Sequence, residues 1–125
     1  MSVPNDRKYS DSHEWYMVDG NVVTIGITEF AAEELTDITY VELPAVGKEC
    51  AAGAAVGEIE SVKATSDLIS AIGGKVVAVN EELADHPELV NDDAHNRGWM
   101  IKIEASDLSP LDDLMDAAAY GEHVG

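Results

Sequence analysis

Short apolar stretches recur about every ten residues along this chain, and a turn signal separates each from the next. Long helices have no room in that rhythm, which favours an all-β barrel or sandwich carrying one or two small helices. "EWYMVDGNVVTIGI" (14–27) reads as a hairpin, because Asp19, Gly20 and Asn21 suit a tight turn. "TEFAAEEL" (28–35) changes period. Phe30, Ala31, Glu34 and Leu35 fit a short helix with Thr28 as its N-cap and Glu29 in its first turn. "DITYVELP" returns to alternation, with Ile38, Tyr40 and Glu42 on one face, Thr39, Val41 and Leu43 on the other, and Pro44 as the stop. "DLISAI", "KVVAVN" and "WMIKIEA" predict further strands; in the last, Trp99, Ile101 and Ile103 alternate with Met100, Lys102 and Glu104. "EELADHPELVND" reads as a loop with a helical turn. Near the end, Ser109 and Pro110 predict a helix start whose apolar face is Leu111, Leu114 and Met115.

The 125 residues suit one domain spanning 1–125, and an apolar fraction of 46% supports a core. Acids outnumber bases 25 to 7, a formal charge of −18 that would repel nucleic acid. Two readings of that charge stand: an ordinary acidic surface, or adaptation to high salt, where screening lengths shrink to a few ångströms. No apolar run reaches the roughly 18 residues of a membrane span, and "MSVPNDRKYSDSHEW" lacks the apolar middle of a signal peptide. The expectation is a cytoplasmic monomer, or a mitochondrial matrix protein if the chain is a processed form. Cys50 is the only cysteine and reads as a small packing residue.

Catalytic patterns are missing. His13, His86, His95 and His123 have no metal-ligand spacing, and there is no phosphate loop, dinucleotide fingerprint or nucleophile elbow. Attention falls instead on Lys63 in "GEIESVKATSDLIS" (57–70), a lone base among Glu58, Glu60 and Asp67. As a solvated lysine it would contribute about 0–1 kcal/mol in exposed ion pairs. Strand-like alternation on both sides puts it instead at a hairpin tip, where short neighbours leave its ε-nitrogen open to a modifying enzyme.

"ESVKATSD" (60–67) is similar to the lipoyl-lysine signature of the glycine cleavage system H protein family. "SHEW" (12–15), "VTIGITEFA" (23–31), "VELPAVG" (41–47), "VVAVNEEL" (76–83), "PELVN" (87–91) and "GWMIKIEASD" (98–107) follow in that family's order. The likeness covers roughly 8–120. It implies a mainly β fold, a flattened β-barrel or sandwich of the lipoyl/biotinyl carrier type (a barrel-sandwich hybrid), with short helices near 28–35 and at the C-terminus.

The resemblance also implies a non-catalytic carrier with lipoate amide-linked to Lys63. Glu60 and Gly74 match positions that lipoate-attaching enzymes read, and Ser12, Glu14 and Asp67 match residues lining the cleft for the arm. Biotin carriers place methionines on both sides of the lysine; Val62 and Ala64 stand here, which favours lipoate over a biotinyl carrier. The implied partners are a pyridoxal-phosphate glycine decarboxylase, a tetrahydrofolate-dependent aminomethyltransferase, dihydrolipoyl dehydrogenase and a lipoate-attaching enzyme. A carrier that relays lipoate to other proteins would look the same around Lys63. Some members carry His where Phe30 and Glu34 stand, and Lys75 reads as an unmodified strand residue.

Overall fold

The computed structural model describes residues 3–124. Two antiparallel sheets face each other across an apolar core. In chain order the strands are β1 (Lys8–Tyr9), β2 (Glu14–Asp19), β3 (Val22–Ile27), β4 (Ile38–Glu42), β5 (Glu49–Cys50), β6 (Ala55–Ser61), β7 (Thr65–Ile69), β8 (Gly74–Val79) and β9 (Ile101–Glu104). The larger sheet runs β1-β2-β3-β9-β8-β5 and the smaller β4-β6-β7. This is the sandwich form of the expected architecture, with both sheets left open rather than closed into a barrel. "VGEIESV" and "GGKVVAV", which look alike as sequences, lie in different sheets as β6 and β8.

Local chemistry explains several elements. Gly20 takes φ +65° between β2 and β3, the left-handed conformation that a two-residue hairpin turn needs. Helix α1 (Glu29–Leu35) starts where Thr28 Oγ1 accepts from the Ala31 amide, a side-chain cap of the kind worth about 1 kcal/mol. Ile25, Ile59, Leu68, Ile72, Val76, Met100, Ile101 and Ile103 fill the space between the sheets and are essentially inaccessible to water.

Four details depart from the sequence reading. In β4 the register shifts between Ile38 and Tyr40, so Ile38 and Val41 are both buried and Tyr40 faces out. A bulge adds one residue to one strand, which breaks simple alternation. Ahead of β9 the phase slips as well: Met100 is in the core, while Trp99 lies beneath the Lys102 ammonium, 5.2 Å from its ring centroid. The 81–92 loop contains two short helices, α2 (Glu82–Asp85) and α3 (Leu89–Asp92). Ser109–Asp113 is a 3₁₀ turn in which Ser109 is no cap: its amide donates to Asp107 Oδ1 at 2.9 Å. The C-terminal α-helix follows as α4 (Ala117–Val124), started by Asp116, whose Oδ1 accepts from the Ala119 amide. Tyr120 anchors α4 in a second cluster, stacked on Tyr9 at 4.7 Å beside Trp15. Among the described residues, no helix is long and apolar enough to cross a membrane.

Gly74 opens β8 where that strand presses on β9. A Cβ at this position would stand 2.2 Å from the Glu104 carbonyl oxygen and 2.8 Å from Ile103 Cγ2. Backbone cannot give way as a side chain can, so Gly74→Ala is expected to cost about 2–3 kcal/mol through overpacking. Urea unfolding checks this; an unchanged midpoint would show that the close approach is absent.

Candidate functional site

Lys63 occupies the tip of the β6–β7 hairpin, in the turn between Ser61 and Thr65. The turn contains no glycine, and Ser61 organises it instead. Ser61 Oγ accepts from the amides of Lys63 (3.2 Å) and Ala64 (3.0 Å), while the Ser61 amide donates to the Ala64 carbonyl at 2.8 Å. The Val62 amide donates to the Asp37 carbonyl at 3.0 Å, which ties the tip to the segment after α1. Backbone is therefore held while side chains are displayed: Val62 is 67% exposed, and Lys63 and Ala64 are exposed too. The Lys63 ammonium donates to the Glu34 carbonyl at 3.2 Å. Glu34 lies in the last turn of α1, where carbonyls lack helical partners and attract a cation.

A second constellation forms where β2 enters the larger sheet. Glu14 is 1% exposed, yet it carries a carboxylate. Ser10 Oγ donates to Glu14 Oε1 at 2.6 Å, and Ser12 Oγ donates to the same oxygen. The Ile69 amide, from β7 of the smaller sheet, donates to Oε2 at 3.2 Å. Burial raises the Glu14 pKa above the ordinary glutamate value, and these three donors pull it partly back.

Asp67 does not join this group. It is exposed and lies directly opposite Glu58, which in turn lies opposite Glu42. These three carboxylates form one cross-strand row on the outer face of the smaller sheet, along a groove of about 240 Å³ that Lys48 also lines. Glu60 sits one row nearer the lysine, between Tyr40 and Thr65. Gly74 is in the other sheet, where close packing against β9 already accounts for its lack of a side chain.

Comparison with known proteins gives this geometry a context. The family model described as glycine cleavage H-protein matches residues 7–125. The chain belongs to the glycine cleavage H-protein family. It is 53% identical to the glycine cleavage system H protein of Staphylococcus haemolyticus, over 100% of this chain and 99% of that one. It is 52% identical to the protein of the same name from Anoxybacillus flavithermus, over 99% and 98% of the two chains. Among solved structures, the glycine cleavage system H protein of Mycobacterium marinum superposes with a TM-score of 0.88 at 35% identity, covering 96% of this chain and 97% of that one.

Of the residues singled out in the sequence, then, Ser12 and Glu14 meet, Lys63 stands exposed at the hairpin tip, and Asp67 stands apart from the serine–glutamate cluster. Two contributors went unnoticed. Ser10 was legible in principle, since "YSDSHEW" places two hydroxyls four and two residues before the glutamate. The Ile69 amide was not legible, because it depends on how the two sheets approach.

Because folding raises the Glu14 pKa above its unfolded value, the folded chain binds that proton more tightly, and the associated stability is lost as pH rises through the folded-state pKa. Glu14→Gln removes this loss while keeping the shape, and its amide can donate to the two serine hydroxyls. The melting temperature of Glu14→Gln minus that of the native chain should therefore grow as pH rises from the ordinary carboxylate range toward neutrality. A difference that is flat or falls with pH would contradict the assignment.

Proposed function

We propose that this chain is the lipoyl-bearing shuttle of the glycine cleavage system, a single carrier domain with Lys63 as the covalent anchor. It carries the aminomethyl group of glycine from a pyridoxal-phosphate decarboxylase to a tetrahydrofolate-dependent aminomethyltransferase, passes electrons to dihydrolipoyl dehydrogenase, and works in the cytoplasm. The observation that carries this reading is the position of Lys63: a lysine at a hairpin tip, with its backbone fixed and its ε-nitrogen, among the described residues, held by one carbonyl oxygen.

The residues around Lys63 fit an acyl attachment. Ser61 and Asp37 keep the turn rigid, so an attaching enzyme meets a defined target. Val62 and Ala64 add little bulk on either side, and Glu60 offers a carboxylate three residues earlier for recognition. Acylation removes one cation, taking the formal charge from 7 − 25 = −18 to 6 − 25 = −19. The resulting amide keeps one N–H, enough to preserve the hydrogen bond that Nζ now makes to Glu34. Lipoate supplies a disulfide that accepts a one-carbon amine and returns as a dithiol. The protein itself needs no catalytic group for that.

What the chain supplies is shelter for a cationic amine. Glu14 is a carboxylate withdrawn from water, with two serine hydroxyls able to turn toward an incoming donor. An ammonium beside it favours the ionised form and brings its pKa down, so cargo and pocket become charged together. Excluding water also protects an aminomethyl group that would otherwise decompose. Asp67, in the row with Glu58 and Glu42 on the outer face of the smaller sheet, stands outside this scheme.

Intact-mass spectrometry of the protein from its native host should show an addition of about 188 Da. Peptide mapping should place it on Lys63, and Lys63→Arg should carry none. An unmodified native protein, or the same addition on Lys75, would overturn the reading.

A further inference from the structure

His13 stands between Ser12 and Glu14 and has φ +72°, a left-handed conformation that costs a non-glycine residue free energy and persists only when its surroundings impose it. The turn around it is tight: the Ser10 amide donates to the Glu14 carbonyl at 2.9 Å and the His13 amide to the Ser10 carbonyl at 3.1 Å. The Thr28 amide donates to the His13 carbonyl at 2.9 Å. The His13 ring is gripped from two further elements. Phe30 of α1 lies 4.8 Å away between ring centroids, and the Tyr120 hydroxyl of α4 is 2.8 Å from His13 Nδ1. That same hydroxyl is 2.7 Å from Thr28 Oγ1, the cap of α1, and both Thr28 and Tyr120 are 1% exposed.

One arrangement of the hydrogens gives each hydroxyl proton an acceptor. With His13 neutral and its proton on Nε2, the Ala31 amide donates to Thr28 Oγ1, Thr28 donates to Tyr120, and Tyr120 donates to His13 Nδ1. A protonated His13 would reverse the chain and leave the buried Thr28 hydroxyl proton without an acceptor. Burial and the neighbouring His123 of α4 accordingly hold the His13 pKa below the ordinary value, against the opposing pull of Asp11 in the turn and Glu34 in α1.

We propose that Tyr120 is a positioning residue for the arm pocket: through His13 it locks the strained turn that aims the Ser10 and Ser12 hydroxyls at Glu14. The C-terminal helix, which takes no part in either sheet, thereby controls the pocket from outside it. This rests on the reading of Glu14 as the seat of the cargo amine.

The test uses Tyr120→Phe, which keeps the stack on Tyr9 and removes only the hydroxyl, together with His13→Asn, which tolerates the left-handed backbone but is too short to reach Tyr120. In the full unmodified chain, carbon NMR follows the Glu14 carboxyl titration. In the lipoylated chain, loss of the aminomethyl group is timed. Each variant should move the Glu14 midpoint further up from that of an ordinary glutamate, because the serine hydroxyls that pull it down are no longer aimed at the carboxylate, and speed cargo loss about fivefold, the equivalent of one hydrogen bond. The double variant should add nothing to either single one. An unmoved or lowered Glu14 midpoint in Tyr120→Phe, or additive effects in the double variant, would overturn the proposal. A raised midpoint upholds the positioning role even where Glu14→Gln leaves cargo loss unchanged, a result that would sink the reading of the Glu14 site alone.

Discussion

A carboxylate kept out of water joins the two sheets of this protein. Glu14 begins β2 in the larger sheet and accepts the Ile69 amide at the edge of β7 in the smaller. Without those donors the group would impose a heavy desolvation cost, because ionised side chains seldom sit in an apolar interior unpaired. Even with them, burial dominates and the pKa stays raised. A neutral amide of the same shape would remove the cost of burying a charge while still accepting the Ile69 amide. A chain that retains a carboxylate there gives up stability for a charge, and the charge has a use once a cationic group arrives beside it.

The remainder of the molecule divides between rigidity and display. The core, β2–β3 hairpin and capped α1 form a frame in which Glu14 has one position. The β6–β7 hairpin projects from that frame with its amides bound to Ser61 Oγ and to the Asp37 carbonyl, so Lys63 is mobile only beyond its own backbone. Lys63 and Glu14 lie in the same small domain, and under the proposed function an arm carried on one would meet the other without a second binding event. The Lys63 ammonium rests on the end of α1, at the Glu34 carbonyl, and the first turn of the same helix abuts His13.

Features set by neighbours in sequence were legible before the fold was known. Gly20 in its turn, Thr28 as a cap and Lys63 between two alternating runs depend on residues a few positions apart. Features set by distant partners were not. The bulge at Ile38–Tyr40 follows from pairing with β6, and the slip at Trp99–Met100 from packing under Lys102 and against β3. Asp67 shows the same limit at the site. Its motif position suggested company with Ser12 and Glu14, but its register opposite Glu58 assigns it to the outer face. Tyr120 was invisible as a contributor because 107 residues separate it from His13. The predicted cap failed for a local reason: the 3₁₀ turn begins at Ser109 itself, and Ser109 donates its own amide to Asp107, two residues earlier.

The central claim is that Glu14 meets the cargo amine at the end of the arm. NMR of the lipoylated protein, loaded with an isotopically labelled aminomethyl group, tests this most directly. The account predicts a nuclear Overhauser contact between the labelled methylene and the Ile69 amide proton, and a Glu14 carboxyl that titrates lower in the loaded protein than in the reduced, unloaded one. A methylene with no contact to Ile69, and a Glu14 titration identical in the two states, would contradict it.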